Sequence, residues 1–127
     1  MDLDAAGANV TITARSAEGL EETAASLPGA ESAFEIVAGD VTDPAVAGRA
    51  VTRTMERFGS VDVLVNNAGT MAAGSVADID LDDWWGVMDV NVRGPLIWTR
   101  AVLPWMPAAR AGRIINVSSR GAYTQHP

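Results

Sequence analysis

The sequence predicts an α/β domain, a parallel sheet with helices packed on both of its faces. Three observations carry this. Segments of strand composition alternate with segments of helical periodicity along the chain, the pattern of strands joined by helical crossovers. Most boundaries between them hold Gly, Pro, Ser or Asp, residues that end strands and cap helices. Finally, Val61-Asp62-Val63-Leu64-Val65 reads as a buried strand running straight into the polar turn Asn66-Asn67-Ala68-Gly69. In open α/β sheets ligands bind at the carboxyl ends of strands, so this turn is a candidate binding edge.

Each element has its own local signal. Residues 8–14 alternate Val10 and Ile12 against Thr11 and Thr13, a strand pattern. Ser16 then caps a helix with Leu20, Ala24 and Leu27 on one face, stopped by Pro28-Gly29. A second strand is expected over residues 33–38, ending in Gly39-Asp40-Val41. Asp43 caps the next helix with Pro44 in its first position, Val51, Met55 and Phe58 form its inner stripe, and Gly59 ends it. After the strand at 61–65, Asp80 stands three residues before Asp83, a variant of the capping box. The following long helix carries Trp85, Met88, Val92, Leu96, Thr99 and Leu103 at spacings of three and four. Pro95 removes one ladder hydrogen bond, so Gly94-Pro95 is expected to bend this helix without splitting it. Gly112 precedes a last strand, residues 113–117, which runs into Ser118-Ser119.

Composition bounds the function. The 127 residues, 48% apolar and 20% charged, fit one globular domain over 1–127 with a real core. A net charge of −7 argues against nucleic acid or an anionic membrane as partner. No apolar run approaches the ~20 residues of a membrane span. The acidic start, Met1-Asp2-Leu3-Asp4, lacks the pattern of a secretory signal, and a cytoplasmic location is expected. There is no cysteine, hence no thiol nucleophile or thiolate metal site, and His126 is the single histidine, so no metal is expected. All nine basic residues are arginine.

Four motifs stand in register. Asp40-Val41 is followed by Asn66-Asn67-Ala68-Gly69, then by Asn91-Val92-x-Gly94, then by Gly112-Arg113-Ile114-Ile115-Asn116-Val117-Ser118-Ser119. In order and spacing they resemble the short-chain dehydrogenase/reductase family over nearly the whole chain. The resemblance implies a Rossmann-type doubly wound sheet and nicotinamide-dependent transfer of hydride to or from a carbonyl or alcohol substrate.

The same resemblance assigns residues. Asn67, Ala68 and Gly69 would stabilise the sheet and line the cofactor pocket, the alternative being a turn that only holds neighbouring strands together. Asp40 would accept from the adenine amino group with Val41 flanking the ring; alternatively Asp40 only caps the turn before Pro44. Arg15 and Ser16 directly follow the first strand, where an acidic residue would favour NAD(H). A guanidinium there suits a 2′-phosphate and favours NADP(H), the alternative being a solvated surface arginine. Ser119 matches the catalytic serine, with Ser118 as the other assignment. Asn91 matches the helix asparagine whose main chain holds a relay water; outside that motif it would read as a local bend. Trp84-Trp85, Trp98 and Trp105 read as helix packing and as a subunit contact in a homo-oligomer.

Two expected parts of the family pattern are not found. Tyr123, the single tyrosine, is followed four residues later by Pro127 instead of lysine, and it lies too close to Ser119. The general acid/base tyrosine and its lysine are therefore expected beyond residue 127. Ala6-Gly7-Ala8-Asn9-Val10 resembles the end of the helix that follows the family's Gly-rich phosphate turn. The expectation is a partial domain without its first, central strand, leaving two unpaired interior edges, and inactive by itself. The alternative is a non-catalytic remnant or binding module.

Overall fold

The computed structural model describes residues 7–26, 34–106 and 112–119. Its elements are β1 Val10–Ile12, α1 Ala17–Ala25, β2 Phe34–Ile36, α2 Pro44–Phe58, β3 Val63–Asn66, α3 Leu81–Met88, a π-helical turn Asp89–Arg93, α4 Gly94–Val102 and β4 Arg113–Asn116. Leu27, Pro28-Gly29, Ala33, Tyr123 and His126 lie outside the described residues.

The caps sit where the sequence places them, because each is a local hydrogen bond. Ser16 Oγ accepts from Gly19 N–H at 3.1 Å, Asp43 Oδ1 from Ala45 N–H at 2.8 Å, and Asp80 Oδ1 from Asp82 and Asp83 N–H at 2.8 and 3.2 Å. Gly59 closes α2 in the left-handed region at φ 79°, its N–H bonded to Met55 O. The strands are shorter than their patterns suggested, although ladder hydrogen bonds run past their ends: Gly39 N–H donates to Ala14 O, and Val117 N–H to Asn66 O, both at 2.9 Å.

Both strand pairings are parallel, as the strand–helix alternation requires. β1 pairs with β2 through Thr11↔Glu35, and β3 with β4 through Leu64↔Ile114 and Asn66↔Asn116. Among the described residues these form two separate two-stranded sheets, with no ladder joining β1 or β2 to β3 or β4. Helices make the connection instead. Val37, Val46 and Ala50 pack together with Trp98 against them, while Val51, Val102 and Met106 gather Met55, Val61, Leu64 and Ala101. The α2 stripe thus begins earlier than expected, at Val46, Ala47 and Ala50, and Phe58 is only half-buried.

A polar fastening binds α2 to the first sheet. Glu35 at the centre of β2 is buried, its side chain 7% exposed, with Arg53 Nε 2.6 Å from Oε1 and Arg57 Nη1 2.9 Å from Oε2. The Arg57 contact is the well-aligned hydrogen bond of the two. Thr11 and Thr54 share a 2.6 Å hydroxyl bond beside it.

The long helix keeps helical dihedrals through Gly94, whose N–H reaches back five residues to Asp89 O. The wide turn absorbs the missing Pro95 donor, so the helix is continuous as expected. Its apolar stripe is exposed among the described residues, with Trp85 at 62% and Leu96 at 58%. One face of the β3–β4 pair, carrying Val63, Val65, Ile115 and Val117, is likewise exposed.

Candidate functional site

The candidate residues gather at the carboxyl ends of the four strands, in two groups. The first stands on β1 and β2. Arg15 and Ser16 directly follow the first ladder, and the Gly39 N–H to Ala14 O bond ties that loop to the segment entering Asp40. A Cβ on Gly39 would lie 2.4 Å from Val46 Cγ2, so only glycine lets this segment cross the start of α2. Asp40 Oδ1 accepts from both Thr42 N–H (2.8 Å) and Thr42 Oγ1 (2.7 Å), and Asp43 N–H donates to Asp40 O at 3.1 Å.

These two Thr42 bonds hold the Asp40 carboxyl below its ordinary value, backbone first and hydroxyl second. Partial burial opposes them, and the nearby Arg15 charge adds to the lowering. The anionic carboxylate keeps its second oxygen clear of hydrogen bonds from the described residues. Arg15 is exposed and makes no ion pair within the described residues. Ser16 spends its acceptor on the α1 cap, leaving its hydroxyl proton to donate.

The second group stands on β3 and β4. Asn67, Ala68 and Gly69 are exposed immediately after β3. Below them Asn66 Nδ2 donates to Asn116 Oδ1 at 2.9 Å, an amide bridge between the two strand ends. Ser118 and Ser119 leave β4 beside this turn. Asn91 reaches in from the π-helical turn and grips Thr70 twice: Thr70 N–H donates to Oδ1 at 2.9 Å and Nδ2 donates to Thr70 O at 2.8 Å. A Cβ on Gly69 would approach Asn91 Oδ1 at 3.6 Å. An open recess of about 340 Å³ follows, between Thr70–Ala73 and the first turns of α3 at Asp82, Asp83, Gly86 and Val87.

One contact joins the groups. Trp98 Nε1–H of α4 donates to Val41 O at 3.0 Å, and the helix at Gly94 lies against the Val41 side chain. Sequence reasoning took Trp98 for helix packing or a subunit contact and passed over Thr42 and Thr70. An Asp-x-Thr turn was a readable signal for Thr42; nothing local signalled the other two.

The described residues contain no group of three metal-ligating side chains, and none of their helices is long and apolar enough to cross a membrane.

Comparison with known proteins places this arrangement. A family model described as short chain dehydrogenase matches residues 1–127. A short chain dehydrogenase, tazN, of Aspergillus terreus is 44% identical over 92 residues, covering 69% of this chain and 20% of that protein. The crystal structure of a short-chain dehydrogenase/reductase from Brucella melitensis superposes with a TM-score of 0.85 at 31% identity, over 94% of this chain and 49% of its own. ElxO with NADP bound superposes at 0.82 with 27% identity, over 94% and 48%. The chain thus spans about half the length, or less, of these proteins.

Proposed function

The chain belongs to the short-chain dehydrogenase/reductase family, and on that footing we propose that it forms the adenosine-side and substrate-serine part of an NADP(H)-dependent oxidoreductase. The observation that carries this reading is the pairing at the first sheet edge, an Arg15 guanidinium without an ion-pair partner among the described residues beside an Asp40 whose turn fixes its anionic form.

The residues fit such a cofactor. Arg15 would grip a 2′-phosphate bidentately, with the Ser16 hydroxyl donating beside it. Asp40 would accept from the adenine amino group through its second oxygen, and Val41 would flank the ring. Asn67, Ala68 and Gly69 would offer an exposed turn that a ligand can approach closely. The nicotinamide, when bound, supplies or accepts hydride at the carbon of a small carbonyl or alcohol substrate. Ser119 would hydrogen-bond the substrate oxygen. Asn91 would hold a relay water through its main chain. The side chain of Asn91 is already committed to Thr70 and orients the turn.

The tyrosine–lysine pair that the family uses to move the proton is not found in these residues, which include no lysine. On this reading the chain binds without turning over. A protein carrying this domain would associate through the exposed stripe of α3 and α4, in which Trp85 and Leu96 lie.

Titration with adenosine 2′,5′-bisphosphate and with 5′-AMP, which differ only in the 2′-phosphate, tests the cofactor reading. The 2′-phosphate is expected to tighten binding roughly tenfold or more through its charge-assisted contacts, and Arg15→Ala to abolish the difference. Equal affinity for both nucleotides in the unaltered chain would refute NADP(H) preference.

A further inference from the structure

The bonds inside the Asp40–Asp43 turn are all local. Thr42 N–H and Oγ1 reach Asp40 Oδ1, and Asp43 N–H reaches Asp40 O. They close the turn locally, and the Gly39 N–H to Ala14 O bond ties its leading end to the first sheet, but none of them tethers its middle. Trp98 supplies what they lack: its indole N–H crosses 57 residues of sequence to Val41 O, in the middle of the turn. Its ring meanwhile packs on Val37, Val46 and Ala50, the residues on either side of the turn.

The same continuous helix carries Asn91, which grips Thr70 just after the Asn67–Gly69 turn. Trp98 stands seven positions after Asn91, about 10 Å along the axis at 1.5 Å per residue. The two sheets that bear these turns share no ladder among the described residues. This helix therefore touches both ends of the candidate site, while α2 joins the two core clusters.

We propose that Trp98 is a positioning residue that, through its N–H bond to Val41 O, places the Asp40–Thr42 turn to receive the adenine ring. This rests on the adenine role given to Asp40 above. Tryptophan combines a packing ring with an edge donor. Phenylalanine keeps the first property and loses the second.

The test compares the unaltered chain with Trp98→Phe and Trp98→Leu by amide hydrogen exchange and nucleotide titration. In Trp98→Phe, exchange at Thr42 and Asp43 is expected to accelerate several-fold, while the Thr70 amide and the melting temperature stay near the unaltered values. Binding of adenosine 2′-monophosphate should weaken roughly two- to tenfold, the worth of one hydrogen bond. Binding of nicotinamide mononucleotide should not change. Trp98→Leu should add a general loss of stability. Unchanged exchange at Thr42 and Asp43 in Trp98→Phe would overturn the proposal, as would acceleration spread evenly over the chain. If adenosine 2′-monophosphate fails to perturb residues 40–42 of the unaltered chain, the adenine role falls and the ligand half of the proposal with it. The exchange pattern still decides whether Trp98 holds the turn.

Discussion

Removing the arginines that flank Glu35 should cost more than removing Glu35 itself. The carboxylate is 7% exposed on the central residue of β2, whereas Arg53 and Arg57 are 55% and 38% exposed on α2. At an effective dielectric of 20, each contact near 2.8 Å represents about 6 kcal/mol of gross attraction, most of which offsets the carboxylate's lost hydration. The combined change Arg53→Ala with Arg57→Ala strands a buried charge, at a cost of about 3–5 kcal/mol. Glu35→Gln removes the charge, keeps the shape and leaves two arginines to be hydrated, so about 1–2 kcal/mol is expected. Glu35→Leu removes both the pair and its desolvation and should fall within about 1 kcal/mol of the unaltered chain. For 127 residues an unfolding entropy of ~2.1 cal/mol/K per residue converts 1 kcal/mol into about 4 °C of melting temperature. The double arginine variant should therefore melt about 11–19 °C lower. Urea unfolding followed by fluorescence of the four tryptophans gives the same quantity in free energy. If the double arginine variant is as stable as Glu35→Leu, the carboxylate is not held by charge, and the ranking of these variants is wrong.

Two further outcomes follow from the same sheet edge. Because the Asp40 carboxyl is held below its ordinary 3.8, it binds fewer protons folded than unfolded in that range. Its contribution to stability is complete above that value and is lost as pH falls through the lower folded one, so Asp40→Asn should flatten the fall in stability below about pH 4 in urea titrations. Gly39→Ala sets a Cβ 2.4 and 2.8 Å from the two Val46 methyls and should destabilise by about 1–3 kcal/mol. Val46→Ala in the same chain should recover part of that loss, which a double-mutant cycle by thermal unfolding will read.

What the sequence disclosed was local. The caps at Ser16, Asp43 and Asp80 and the stop at Gly59 depend on partners two to four residues away, so residue type announces them. Strand–helix alternation likewise implied parallel pairing, and both pairings are parallel. Contacts between distant residues left no such trace. Thr11 meets Thr54 across 43 residues, Arg57 meets Glu35 across 22, and Trp98 meets Val41 across 57. Periodicity identified the apolar stripe from Trp85 to Leu103, but not what covers it, and among the described residues it is open. The candidate site was legible as motifs; the helix that fastens its two halves was not.

The separation of the two ladders along the chain also sets an order of events during synthesis. Asn66 finds Asn116 only after 50 more residues have been made, while β1 waits far less for β2. At ~5–20 residues per second, β3 emerges about 2.5–10 s before its partner. Through that interval the backbone donors and acceptors that later meet β4 face solvent or a chaperone. The β1–β2 pair and α2 can already be in place, a surface against which β3 and β4 must later assemble.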